Sequence, residues 1–223
     1  MDSAAALTQV EERIARACTI AKREREEVNL IAVSKTHPVD RIEPVLEAGQ
    51  RLFGENRVQE AQDKWPTLRE QYPDVELHLI GQLQSNKAED AAALFDVIHS
   101  LDRPSLLKAL AKAYDKLGRR VLCFIQVDVG EEDQKGGCAI ADLPALIDQA
   151  REAEIPLLGL MCIPPADKEP APFFALLGEL AKRHEPKPGA WGLSMGMSSD
   201  YETAIMLGAT HIRVGSALFG ERG

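Results

Sequence analysis

The chain has 223 residues, with 26 Lys and Arg against 35 Asp and Glu, a formal net charge of −9. Its content of 45% hydrophobic and 27% charged residues is that of a folded globular domain, which excludes disordered and fibrous classes. The acidic balance argues against a phosphate backbone as ligand, which needs clustered Lys and Arg, so no nucleic-acid partner is expected.

Residues 1–28 read as an N-terminal helix. Leu7, Val10, Ile14, Ala17 and Ala21 recur at helical spacing, with Glu11, Glu12, Arg13, Arg16, Lys22 and Arg23 mostly elsewhere on the wheel. Eight short apolar runs follow, at 30–34, 52–54, 77–80, 97–100, 121–127, 157–161, 191–194 and 211–214. Their starts advance by about 26 residues on average, which suits a strand, loop, helix, loop cycle. Several runs are apolar on both faces, as expected of parallel strands covered on both sides. Asp40-Arg41-Ile42-Glu43 has the form of an N-terminal capping arrangement, while Gly49, Gly118 and Gly208 stand where helices should end.

Eight strands alternating with helical segments, after an extra N-terminal helix, predict a single (β/α)8 barrel domain over residues 1–223. A doubly wound open sheet is the rival. Its Gly-rich dinucleotide loop is missing, because the first strand runs into Ser34-Lys35-Thr36-His37-Pro38.

No apolar stretch approaches the ~18 residues of a membrane span, and Met1-Asp2-Ser3-Ala4-Ala5-Ala6 lacks the basic start and apolar core of a signal peptide. Cys18, Cys123, Cys138 and Cys162 form no Cys-x-x-Cys pair, and the expectation is buried, reduced thiols. The five histidines include no pair at metal-binding helical spacing, and His78 and His99 read as satisfied core residues on strands. The expected protein is soluble, cytoplasmic and without a metal site. A monomer is the default, since no added dimerisation element is visible.

In a barrel of this kind, functional side chains gather at the C-terminal ends of the strands, with phosphate often bound after strands seven and eight. Strand seven leads into a turn at Met195-Gly196-Met197 followed by Ser198 and Ser199, and Ser199-x-x-Glu202 has the pattern of a capping box. Strand eight leads into Arg213-Val214-Gly215-Ser216. Serine hydroxyls and backbone N–H groups at these two sites suit a phosphate dianion, and Gly215 permits close approach. Each motif alone is also compatible with an ordinary cap or turn. Lys35 follows strand one and would reach the barrel mouth, where a partly desolvated amine can attack a carbonyl; a lysine simply reaching solvent is the alternative. An amine on one side and a phosphate cradle on the other fit a phosphorylated aldehyde.

Five segments together are more specific than any one of them. Ile31-Ala32-Val33-Ser34-Lys35, Phe53-Gly54-Glu55-Asn56-Arg57-Val58-Gln59-Glu60, His78-Leu79-Ile80-Gly81-Gln82-Leu83-Gln84-Ser85-Asn86-Lys87, residues 193–198 and residues 213–220 resemble the pyridoxal-phosphate homeostasis (YggS/PROSC) family. The resemblance runs from about Leu30 to Gly223. It implies an alanine-racemase-like barrel that binds pyridoxal 5′-phosphate (PLP), with Lys35 forming the Schiff base. Met197, Ser198, Gly215 and Ser216 then match the phosphate side, and Asn56 matches a position near the cofactor. Arg213 would face the pyridine nitrogen, where a guanidinium lends no proton readily and leaves the ring a poorer electron sink; a barrel-end salt bridge is its alternative role.

Two departures stand out. Leu77-His78-Leu79-Ile80-Gly81 lacks the aromatic residues common in the family, which should alter packing rather than binding, and Asp128 stands where Asn is expected. Lys135 in Lys135-Gly136-Gly137 reads as a solvated loop lysine or a secondary PLP site. The function implied is a carrier, buffer or regulator of PLP in vitamin B6 homeostasis, without turnover of its own and in transient contact with PLP-dependent apoenzymes. A PLP-dependent amino-acid racemase and a Schiff-base aldolase are the competing readings. The racemase reading is disfavoured because the chain stops soon after strand eight and because Tyr72, Tyr114 and Tyr201 fall away from the predicted strand ends.

Overall fold

Parallel pairing closes the eight predicted strands into a ring. The computed structural model describes residues 3–131 and 136–220. In chain order its strands are β1 (Asn29–Val33), β2 (Leu52–Glu55), β3 (Glu76–Leu79), β4 (Val97–Leu101), β5 (Leu122–Asp128), β6 (Cys138–Ala139), β7 (Leu157–Met161), β8 (Gly192–Met197) and β9 (His211–Val214). β1 pairs with both β2 and β9, and a β4–β5 pairing completes the circuit, so eight of these strands form a (β/α)8 barrel. The two-residue β6 lies outside the ring, paired only with the end of β5; two residues are too few to leave a periodic signal in the sequence.

The helices are α1 (Ser3–Ala21), α2 (Val39–Glu47), α3 (Val58–Gln71), α4 (Ala88–Leu94), α5 (Pro104–Leu117), α6 (Leu143–Glu152), α7 (Ala171–His184), α8 (Tyr201–Met206) and α9 (Ser216–Phe219). α1 is the extra N-terminal helix; it buries Leu7, Val10, Ile14 and Ala17 and packs on α8, α9 and α2. Arg13 of α1 donates to Glu202 of α8 at 2.7 Å. None of the described helices is long and apolar enough to cross a membrane.

Most of the apolar core fills the layer between barrel and helices, including Leu30, Phe53, Leu77, Ile98, Ile125, Ile212 and Val214. Inside the barrel a small separate cluster joins Val97, Phe124 and Met161. The rest of the inner face departs from the expected apolar run, since it carries His78, His99, Ser194, His211 and Arg213, all buried.

Three local expectations need correcting. α2 starts at Val39 with Pro38 as its cap and no side-chain cap bond, so Asp40 lies within the first turn instead of capping it. α8 is capped at Asp200, not through a Ser199–Glu202 box, because Glu202 turns away to Arg13. Strand β8 continues through Met195-Gly196-Met197, which reads as a turn in the sequence. The pairings Ser194 with His211 and Met197 with Arg213 show a shift of register there, a bulge centred on Gly196. Gly196 has φ +93, and a Cβ there would stand 2.6 Å from the Ala204 Cβ, so both backbone and α8 exclude a side chain. Gly49, Gly118 and Gly208 do end their helices as expected.

Candidate cofactor site at the C-terminal end of the barrel

Lys35 sits on a turn immediately beyond β1, half-buried, with Thr36 at φ 66 beside it. That turn is gripped from the outside by α3. Lys64 Nζ donates to the backbone oxygens of Ser34 (3.1 Å) and His37 (3.4 Å), and the Thr36 N–H donates to Glu60. Beneath it, Ser34 Oγ (2.7 Å) and Trp65 Nε1 (3.0 Å) donate to Glu55 Oε1, and Lys64 Nζ lies 2.8 Å from the same oxygen. Glu55 is fully buried, and burial drives its pKa above the usual carboxylate range despite Lys64, Ser34 and Trp65. Glu60 is partly desolvated, yet Lys64 and the Thr36 N–H hold its carboxyl below the usual range. Neither glutamate nor Lys64 is singled out by sequence reading. A charged residue directly after the apolar run at 52–54, where the strand still continues, was the available signal at Glu55.

Across the cavity lie the two phosphate-type segments. Ser198 Oγ accepts the N–H groups of Gly215 (3.1 Å) and Ala217 (3.4 Å), so the ends of β8 and β9 are stitched together at one hydroxyl. The Met197 N–H donates to Asp200 Oδ1 at 2.6 Å. A Cβ on Gly215 would stand 3.3 Å from Val33 Cβ and 3.4 Å from Val33 O, so the segment after β9 lies close against the end of β1.

Arg213 is buried and donates through Nη1 to Ser194 Oγ (2.6 Å) and through Nη2 to the Cys162 carbonyl (2.9 Å). Those partners are neutral, which overturns the barrel-end salt bridge as its role. Burial lowers its pKa from the ordinary value, with the Cys162 thiol and Asp200 acting in the opposite direction.

All seven residues expected at the site line one cavity of about 650 Å³: Lys35, Asn56, Met197, Ser198, Arg213, Gly215 and Ser216. That volume lies within the ~300–1,000 Å³ of ordinary small-molecule sites. The same cavity adds side chains that the sequence does not flag, His37, Gln82, Gln126 and Ile163. His37 stacks on Phe219 at 4.9 Å between ring centroids. Gln82 Nε2 donates to Gln126 Oε1 (2.7 Å), and Gln126 Nε2 to the Gly136 carbonyl (2.8 Å), which ties the loop after β5 to the cavity wall. Asp128 is not among the lining residues and accepts the Gly130 N–H at 3.2 Å. Lys135 lies outside the described residues.

The donor set suits a phosphorylated aldehyde with an aromatic ring. The hydroxyls of Ser198, Ser199 and Ser216 line one side of the cavity, where they can donate to an anion, and Lys35 lines it with an amine. The other candidate chemistries fare differently. Among the described residues no cluster of three or more His, Cys, Asp and Glu could hold a metal ion. All four cysteines are buried and reduced, and burial pushes the thiols of Cys123, Cys138 and Cys162 up to about 12. His78 and His99 are core residues as expected, bonded to each other at 2.9 Å. Burial first, then His78, His211 and Arg213, hold the His99 pKa well below the usual histidine value.

Comparison with known proteins agrees with this geometry. The sequence profile described as alanine racemase, N-terminal domain, matches residues 6–223. The pyridoxal phosphate homeostasis protein of Aquifex aeolicus (strain VF5) is 39% identical over 228 residues, covering 100% of this chain and 99% of that protein. The protein of the same name from Escherichia coli (strain K12) is 38% identical over 231 residues, covering 99% and 97%. The structure of PipY from Synechococcus elongatus PCC7942 with PLP bound is 39% identical, with a TM-score of 0.81 and coverage of 95% of this chain and 100% of that one. The chain therefore belongs to the family of the alanine racemase N-terminal domain and, within it, to the pyridoxal phosphate homeostasis proteins.

Proposed function

We propose that residues 1–223 act as a single PLP-binding domain that carries, buffers or regulates the cofactor and performs no turnover of its own. The observation that carries the reading is the convergence of Lys35 and the Ser198–Gly215–Ser216 segment on one cavity, with Arg213 in its wall. Relatives named for PLP homeostasis and the PLP-bound structure of PipY support the same cofactor.

PLP supplies an aldehyde that condenses with an amine and a pyridine ring that withdraws electrons from what is attached. Lys35 provides that amine, and the α3 clamp on residues 34–37 orients it. The hydroxyls of Ser198 and Ser216 take the phosphate, the N–H groups of Gly215 and Ala217 hold Ser198 in place, and Met197 and Asn56 complete the wall on either side. Arg213 faces the ring nitrogen as a donor that stays charged, which keeps the ring unprotonated and restrains carbanion chemistry. The protein works as a cytoplasmic monomer that meets PLP-dependent apoenzymes transiently.

The alternative, an amino-acid racemase, has one specific feature in its favour: His37 lines the same cavity as Lys35 and would have to act as the second base. The visible absorption spectrum of the purified protein, before and after incubation with PLP and with single amino acids, tests the cofactor reading. A protein that takes up no PLP under these conditions overturns it.

A further inference from the structure

Arg213 can only donate hydrogen bonds, and this sets one end of a chain that crosses the barrel interior. Its Nη1 donates to Ser194 Oγ at 2.6 Å, so the Ser194 hydroxyl hydrogen is left to point elsewhere. The neighbour at hand is His99 Nδ1, 2.8 Å away. His99 Nδ1 is then an acceptor, and the ring carries its proton on Nε2. That nitrogen lies 2.9 Å from His78 Nδ1, which must accept in turn, so His78 also carries its proton on Nε2. His78 Nε2 is buried without a formed hydrogen bond, and the carboxylate atom it meets is Glu76 Oε1 at 3.0 Å.

Every intermediate member is shut away from water. Ser194, His99 and His78 are fully buried, and the Phe124 ring covers His99 at 4.6 Å between centroids. Glu76 starts β3 and has a side chain 47% exposed, so the chain leads from the cavity at one end of the barrel to solvent at the other. Its charges sit only at its ends, a guanidinium and a carboxylate, with neutral groups between. The other charged or titratable group facing His99 is His211, whose own pKa burial pushes down to about 3.

We infer that this one-way chain, Arg213 to Ser194 to His99 to His78 and on towards Glu76, makes Ser194 and His99 positioning residues for the Arg213 guanidinium in the cavity wall. Ser194 holds Nη1 only while His99 accepts its proton, and His99 accepts only while His78 takes its Nε2–H. The guanidinium orientation thus depends on tautomers set across the barrel, on β3 and β4. The consequence for cofactor binding rests on the PLP reading above; the chain itself does not.

The test has two parts. Long-range proton–nitrogen NMR of the histidine rings in the full chain without PLP should find His78 and His99 each carrying the ring proton on Nε2, with Nδ1 accepting. In the Ser194→Ala protein the His99 Nδ1 resonance should shift as it loses its donor, and Ser194→Thr should restore it. An Nδ1-protonated or doubly protonated His99 in the native protein overturns the inference, as does an Nδ1 resonance unmoved by Ser194→Ala. PLP titration of the same proteins forms the second part. Ser194→Ala should weaken retention about three- to tenfold, the net size of one hydrogen bond, and shift the absorption of the bound cofactor, with Ser194→Thr restoring both. Unchanged retention and spectrum in Ser194→Ala would overturn the positioning role. Failure of the native protein to bind PLP would sink the cofactor reading alone, since the ring tautomers are read without it.

Discussion

Lys64 Nζ lies 2.8 Å from Glu55 Oε1, and the same ammonium donates to the backbone on both sides of Lys35. One buried ion pair therefore anchors the turn that presents the candidate reactive amine. Glu55 is fully buried and Lys64 nearly so, which makes the pair sensitive to loss of either partner. Lys64→Ala should destabilise the fold by about 3–5 kcal/mol, because it leaves a buried carboxylate unpaired. Urea unfolding at pH 7 measures this, and a loss within experimental scatter would show that the carboxylate finds another partner.

The same glutamate gives a pH dependence of definite sign. Its pKa in the fold is raised by burial, so the folded state binds a proton more tightly than the unfolded chain does. Its contribution to stability is fully present below the unfolded value and is lost as pH rises through the folded one. The stability of the native protein relative to Glu55→Gln should accordingly fall as pH rises from the ordinary glutamate range. Paired urea titrations across that range check the sign, and a relative stability that rises with pH contradicts it.

Lys35 should be the residue that bonds to PLP. Borohydride reduction of the loaded protein, followed by peptide mass mapping, should place the pyridoxyl group on Lys35. A sole adduct on another lysine would remove Lys35 from the site.

Ser198 and Ser216 should not contribute equally. Ser198 Oγ already accepts two backbone N–H groups, from Gly215 and Ala217, so it shapes the cradle as well as lining it. Ser198→Ala should therefore weaken PLP retention more than Ser216→Ala, each within about 0.5–1.5 kcal/mol per lost bond. Equilibrium titration of the single and double variants reads the difference, and full retention by the double variant would put the cradle elsewhere.

Turnover separates the carrier from the racemase. PLP-loaded protein incubated with single-enantiomer amino acids in deuterated water should show no Cα–H exchange at ordinary enzyme rates, on the order of 1–10³ per second. Exchange at such rates, abolished by His37→Ala as well as Lys35→Ala, would establish two-base catalysis and reverse the reading.

The eight barrel strands, the order in which they alternate with helices, and the positions of Lys35 and the Ser198 and Ser216 segments were legible in the sequence. Each depends on short-range pattern: apolar runs at a βα period, and functional residues just beyond strand ends. The profile match and the chosen lining residues fall where those patterns put them. Only the tertiary structure decided what those residues rest on. His99 meets Ser194 from 95 residues away, Lys64 meets Ser34 from 30, and no local pattern encodes either encounter. The bulge at Gly196 was equally hidden, because a glycine between two methionines reads as a turn until α8 is seen pressed against it. Barrel closure turns alternate residues of distant strands inward upon one another, and this is why the polar interior of the barrel emerges only in three dimensions.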